Sequence, residues 1–356
     1  MDRLPPRIVR RLILAPLALV LSLLLLAFMP AVFVLALVAD VVLPGNWRTV
    51  RVVTFVATYL AMEVAGLIVL FVLWIASGFG VSIRSERMQN AHFRFMRWWL
   101  KTINGVVRKV FKLVVHIEDR PTPRPGPVLV FSRHAGPGNS LLLIGTLLVG
   151  FNRRPRIVML AKLQWEPLFD TMLNRTPNRF IRHDPSRRQL YVDTIGELAH
   201  DLGDQDAFVL FPEGKDFTPR VRQRAIEYLR TKGYGRSAER AEHMTHVLPP
   251  RHNGVMAAIG SAPQADVVFV AHSVLEQIGS FRELWNRVPF EEPITARYWR
   301  LPPSDVPRDR DELIDWLYMW WERIDQWLVD REPAEPAEAP AAFPDAAIGE
   351  SSSQSI

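Results

Sequence analysis

Residues 128–140 read VLVFSRHAGPGNS, an apolar, β-branched run that stops at Arg133-His134 and enters the glycine-rich turn Gly136-Pro137-Gly138. A run of that kind fits a buried strand, and in α/β proteins the loop after a strand's carboxyl end is where ligands gather. Residues 207–217, AFVLFPEGKDF, repeat the arrangement: a strand ends at Phe211 and Pro212-Glu213-Gly214-Lys215 follows. Further short apolar runs lie at 113–117, 157–160 and 267–270, with helix-like stretches at 140–148, 187–202 and 218–232 between them. Strand and helix in alternation predict an α/β domain, a mostly parallel sheet flanked by helices.

Upstream the text is different. Residues 12–39 contain no charge, and residues 52–83 contain one, Glu63. Each run is long enough to cross a bilayer core, so an N-terminal transmembrane helical hairpin is expected over 1–87, with Pro30 kinking or dividing its first helix. Glu63 is costly in lipid unless it meets a neighbouring helix or a headgroup. Arg3, Arg7, Arg10 and Arg11 precede the hairpin, a further basic cluster from Arg84 onward follows it, and only Arg48 and Arg51 lie between the runs. The positive-inside rule then places both ends, and the domain that follows, in the cytoplasm.

Residues 88–112, MQNAHFRFMRWWLKTINGVVRKVFK, set Phe95, Trp98, Trp99 and Leu100 against Arg94, Arg97 and Lys101 at helical spacing. This predicts an interfacial amphipathic helix with indole rings at headgroup depth. A nucleic-acid patch shares that composition, but its place beside a membrane hairpin favours lipid over nucleic acid as partner. The α/β domain is expected over 113–331 and ends in a Trp-rich helix at 310–331, packed on the domain or on lipid. The Pro, Ala, Glu and Ser of 332–356 predict a disordered tail.

Composition narrows the chemistry. The chain has 356 residues, a net charge of +6 and 49% apolar residues, which excludes disorder as a description of the whole. It has no cysteine, so disulfides, thiolate metal ligands and a cysteine nucleophile are excluded together. A histidine after a strand, or a PEG turn, has an ordinary structural reading when taken singly.

Several motifs in order, behind a hairpin, resemble the glycerolipid acyltransferases typified by 1-acylglycerol-3-phosphate (lysophosphatidic acid) acyltransferase. The family's first motif is His, four residues, then Asp after a strand; here it is His134-Ala-Gly-Pro-Gly-Asn139. Its FPEG motif is intact at 211–214. The Phe-Ile-x-Arg motif corresponds to RFIRH at 179–183, with His183 at the usual arginine position and Arg182 one residue earlier. AKLQWEP maps the family's upstream lysine to Lys162, and HVLPPRHNG, which contains Arg251, is similar to a later conserved segment. The likeness runs over about residues 108–274. It implies a glycerol-phosphate acyltransferase-like fold and acyl transfer from acyl-CoA or acyl carrier protein to a lysophospholipid, giving phosphatidic acid from 1-acylglycerol-3-phosphate, with no cofactor and no metal.

The residue chemistry suits that reaction. A glycerol hydroxyl is a weak nucleophile, so His134 as general base is worth roughly 10²–10⁴-fold, while a thiol of pKa about 8.5 leaves readily. Backbone N–H groups over 135–138, Gly136 and Gly138 included, are expected to meet the oxyanion. Arg182, Lys162 and Lys215 are candidates for the acceptor phosphate, Arg251 for phosphate or CoA, and the resemblance gives Glu213 and Gly214 an acceptor-binding role. Asn139 is the departure: it can orient the imidazole but brings no charge. Glu213 and Asp216 could supply a carboxylate if the fold brings one within reach. The alternative reading is a lipid-binding or scaffolding homologue impaired by Asn139.

Overall fold

The computed structural model describes residues 4–42, 45–119, 124–134, 136–182, 184–273 and 281–331; the expected tail at 332–356 lies outside them. Two helices open the chain, α1 at Arg7–Val42 and α2 at Arg48–Ala76, both long and apolar enough to cross a membrane. The 36 residues of α1 reach roughly 54 Å, well beyond the ~30 Å hydrocarbon core. The helix continues across Pro30 instead of dividing there. Asp40, near the end of α1, accepts hydrogen bonds from the N–H groups of Thr49 (3.0 Å) and Val50 (2.8 Å) in the first turn of α2, which closes the hairpin. Leu12, Phe28 and Val41 are each more than 60% exposed. The hairpin therefore turns large apolar side chains outward, the arrangement that a lipid surrounding satisfies and water does not.

Helix α3, Glu86–Phe111, is N-capped by Ser85, whose hydroxyl accepts from the Met88 N–H, and stops at Lys112 in a left-handed conformation. Most of its apolar face packs on protein. Phe95, Trp99 and Leu100 are buried in a cluster with Met62, Leu67 and Leu70 of α2 and with Leu168 and Met172 further on, leaving Trp98 as the exposed indole. The amphipathic pattern is the same for either partner, and here the partner is protein.

Among the described residues seven strands form one sheet: β1 Val115–Glu118, β2 Val128–Ser132, β3 Arg154–Leu160, β4 Arg179–Ile181, β5 Asp206–Leu210, β6 Asp266–His272 and β7 Ile294–Leu301. Their order is β1-β7-β6-β2-β5-β3-β4. The sheet is parallel from β6 to β4, whereas β7 runs antiparallel to β6 and parallel to β1. β2 is central and wholly buried, which is why it reads as an unbroken apolar run. Its alternate side chains feed two cores. Leu129 and Phe131 pack with Phe208 and Phe269 against α6 (Arg188–Ala199), α9 (His252–Ser261) and α11 (Arg310–Val329). Val128 and Val130 pack with Val209 against Leu143 and Leu147, in and just beyond α4 (Pro137–Gly145). The Trp-rich helix α11 lies on the domain: Trp320 stacks on Phe269 at 4.9 Å and Trp327 Nε1 donates to Glu118.

Helix α5, Pro167–Arg175, is the joint between hairpin and domain. Buried Asp170 receives Arg10 at 3.1 Å and Arg11 at 3.3 Å from α1, and Arg175 donates to the Leu70 carbonyl of α2 at 2.6 Å. Glu63 is buried on the side of α2 that meets this joint, an interhelical place. At Gly66 the helices approach so closely that a Cβ would stand 2.6 Å from Leu168 Cδ1. Gly66→Leu is therefore expected to lower stability by about 1–3 kcal/mol through overpacking. Thermal unfolding in detergent, beside Gly105→Leu where a Cβ meets nothing within 4 Å, checks it: equal midpoints would show that the joint tolerates separation.

Candidate active site

Because β2, β5, β3 and β4 run parallel, the segments after them emerge along one edge. His134 follows β2 at its centre, with the 211–217 loop beside it. The His134 ring lies 4.6 Å from the Phe211 ring, and its Nε2 is 3.4 Å from Asp216 Oδ1. The same carboxylate oxygen accepts the Gly136 N–H at 2.7 Å. One acidic side chain thus ties the loop after β2 to the loop after β5 and sets a negative charge beside the imidazole. His134 Nδ1 is buried and has no hydrogen-bond partner among the described residues, whereas Nε2 is the nitrogen that faces Asp216. Burial holds the imidazole below the ordinary histidine pKa; Asp216 opposes this, and the nearby Lys162 cation adds to it.

Asn139, expected to orient the ring, is placed otherwise. It is 2% exposed, and its Nδ2 donates to the Arg133 carbonyl at 2.8 Å. It braces the turn from β2 into α4, while Asp216 is the polar neighbour of His134. Gly136 is likewise committed, because its N–H is spent on Asp216. Gly138 stands in the first turn of α4, where helix geometry provides no acceptor for an N–H. Ala135 and His183 lie outside the described residues.

Beneath this surface is a charged layer that the motifs did not announce. Arg133 is fully buried and donates to the carbonyls of His272 (3.0 Å) and His246 (2.7 Å). Glu213 is 2% exposed, and its Oε2 accepts the Leu248 N–H at 3.4 Å. Burial pushes the Glu213 carboxyl up to about 8, opposed chiefly by Arg133 and then by the N–H groups of Leu248 and His134. Its expected place at the acceptor does not match this: the carboxyl supports the loop from below. Burial beside Arg133 also takes His272 down to about 3, so that ring is neutral. The sequence signal for this layer was Arg133 itself, a cation ending a strand with no polar residue before Ser132.

Gly214 has φ +68°, and a Cβ there would meet the Arg251 guanidinium at 3.1–3.3 Å. Arg251 therefore lies over the FPEG turn, and its N–H donates to the Pro212 carbonyl at 2.9 Å. Lys215 is exposed on the same loop, and Lys162 is exposed on the 3₁₀ turn Ala161–Trp165 after β3. Arg182 stands further along the same edge as His134. It follows β4, three strand spacings from β2, or roughly 14 Å across the sheet. Among the described residues no group of three or more His, Asp or Glu is arranged to hold a metal.

Residues 112–274 match the family model described as Acyltransferase. No curated protein matches the chain. Among solved structures the chain is similar to the 1-acyl-sn-glycerophosphate (LPA) acyltransferase PlsC from Thermotoga maritima, at 13% identity and a TM-score of 0.43, over 75% of this chain and 99% of that one. The stretch that matches the Acyltransferase model, residues 112–274, is the one that carries His134, Asp216 and the FPEG turn.

Proposed function

We propose that the protein is a membrane-anchored acyltransferase, its domain facing the cytoplasm, that moves a fatty acyl group from an acyl thioester of CoA or acyl carrier protein to the free hydroxyl of a lysophospholipid, with lysophosphatidic acid as acceptor. The observation that carries this reading is the His134–Asp216 pair at the carboxyl edge of the sheet in an acyltransferase domain. His134 Nε2 takes the hydroxyl proton as that oxygen bonds to the thioester carbonyl carbon. The carbonyl becomes a tetrahedral oxyanion, for which the Gly138 N–H is a donor. Collapse breaks the carbon–sulfur bond, and the proton passes from the imidazolium to the departing thiolate. Asp216 favours the imidazolium while it exists, in place of the family's aspartate at position 139.

Lys162 supports an anionic acceptor, since it is near enough to His134 to act on it electrostatically; exposed Lys215 is a second cation on this side. The hairpin keeps the site at the surface where a single-chain lipid concentrates, and the basic residues at both of its ends support the cytoplasmic placement. The test is thiol release from an acyl-CoA by full-length protein in vesicles containing lysophosphatidic acid. Turnover that requires the lysolipid is expected. Folded protein that releases no thiol with any of several lysophospholipids would sink the enzymatic reading and leave lipid binding.

A further inference from the structure

Position 133 breaks the pattern of its strand. Leu129, Phe131 and Arg133 alternate onto one face of the β2 segment; the first two are core side chains, and the third is a fully buried cation. Removing a guanidinium from water is costly, and an apolar side chain of similar volume fills such a place at less cost to stability. The contacts show what the cation does there. Its Nη1 donates to the His272 carbonyl at the end of β6 (3.0 Å), and its Nη2 donates to the His246 carbonyl, in the stretch that leads to Arg251 and α9 (2.7 Å). Its Cζ stands 6.0 Å from the centre of the Phe217 ring, in the loop after β5, and its charge is the chief one opposing burial at Glu213 of the same loop. One side chain thus joins the ends of β2, β5 and β6 to the approach to α9, beneath the surface that carries His134, Gly214 and Arg251.

The backbone around it is held as firmly. The Arg133 N–H donates to the Val270 carbonyl at 3.2 Å, and the Arg133 carbonyl accepts Asn139 Nδ2 at 2.8 Å and His272 Nε2 at 3.4 Å. The next N–H, that of His134, donates to the Glu213 carboxyl. The peptide that carries His134 is therefore fixed at its carbonyl and at its N–H by buried side chains from α4, β6 and the loop after β5. We propose that Arg133 is a positioning residue for the transfer reaction, setting from the buried side where the His134 imidazole stands relative to the FPEG turn. The reaction it serves rests on the acyl-transfer reading above. The reacting groups come from separate loops, and a misplacement of about 1 Å between such groups costs up to roughly 10²-fold in rate. A planar guanidinium meets two carbonyls at once in fixed directions, which the point charge of a lysine on its flexible stem does not.

Thiol release by full-length protein in vesicles with lysophosphatidic acid is compared for the native chain, Arg133→Lys and Arg133→Met, beside thermal unfolding in detergent. Arg133→Lys keeps the charge near Glu213 and loses the fork. Its kcat is expected to fall about tenfold, with KM for both substrates within about twofold of native. The acid limb of its pH profile should stay in place, because Asp216 and Lys162, the charges that act on His134, are unaltered. Arg133→Met loses the charge as well, and about a further tenfold in kcat is expected. The comparison is Gly196→Val: a Cβ at Gly196 would meet Ser261 Oγ at 3.1 Å between α6 and α9, so the variant lowers stability without touching these contacts. It should keep the native kcat per folded molecule. A rate loss in Arg133→Lys that Gly196→Val matches, a displaced acid limb, or failure of both arginine variants to fold would overturn the proposal. A second readout needs no turnover: amide exchange at His134 is expected to quicken at least tenfold in Arg133→Lys and to stay native in Gly196→Val. Quickened exchange in a protein whose native form releases no thiol would remove the acyl-transfer reading and leave Arg133 as the residue that places His134; unchanged exchange would remove that placement.

Discussion

His134→Ala is expected to lower the rate of acyl transfer about 10³-fold, within the range that a positioned general base supplies. The thermal midpoint should stay near the native value. The ring is about a quarter exposed and lies against Phe211, and none of the buried Arg133, Glu213 and Asn139 contacts uses its side chain. The pH profile distinguishes loss of a base from loss of shape. A base must be neutral to act, so native kcat/KM falls on the acid side as Nε2 becomes protonated. Burial and Lys162 hold that protonation below the ordinary histidine value of about 6.5, so the native enzyme is expected to keep its rate to lower pH than an exposed imidazole would allow. In the alanine variant the residual rate should lose this acid limb. Initial rates of thiol release from pH 5 to 8 are the measurement; a variant that retained both rate and limb would remove His134 from the mechanism.

The parts of the fold that sequence reading reached are those where one physical signal dominates. β2, β5 and β6 are buried on both faces, so their composition is apolar throughout and their positions stand out. The hairpin stands out for the same reason. β4 does not, because three residues, RFI, carry no period. β7 does not because Thr295, Arg297 and Arg300 interrupt the apolar run of ITARYWRL and one face is only half buried. Helices α5 and α9 were missed because they begin at prolines and glycines that read as loops: Pro167 sits at the first helical position after the Glu166 cap, and Gly254 lies inside a helix packed on α6. At the site, spacing located His134 and the FPEG turn but not their partners. Asp216 reaches His134 because β5 is hydrogen-bonded to β2, with Phe131 opposite Leu210, and that pairing is not written in either segment alone. The basic face of 88–112 illustrates the converse: its period was legible, while the identity of what covers its apolar side was not.

Asp216→Asn is expected to lower turnover by roughly tenfold to a hundredfold. The drop is smaller than for an enclosed catalytic carboxylate because Asp216 is 57% exposed and water screens part of its charge. The carboxamide oxygen can still accept the Gly136 N–H, so the two loops should stay joined and the loss should fall on kcat rather than KM. The sign of the accompanying pH shift follows from the electrostatics. Asp216 raises the His134 pKa against burial, so its neutralisation lets the value fall further and moves the acid limb of the profile to lower pH. A purely structural role would lower the plateau without moving the limb, and that result would refute the pairing as a functional one. Restoring the family's aspartate by Asn139→Asp is not expected to compensate. Asn139 Nδ2 donates to the Arg133 carbonyl inside the protein, and an aspartate there would set two acceptors face to face in a nearly water-free place, at a cost of about 1–3 kcal/mol. The double variant Asn139→Asp, Asp216→Asn should therefore be slower and less stable than Asp216→Asn alone. Recovery of native turnover by the double variant would show instead that position 139 can reach the imidazole and that Asp216 is a substitute the fold could do without.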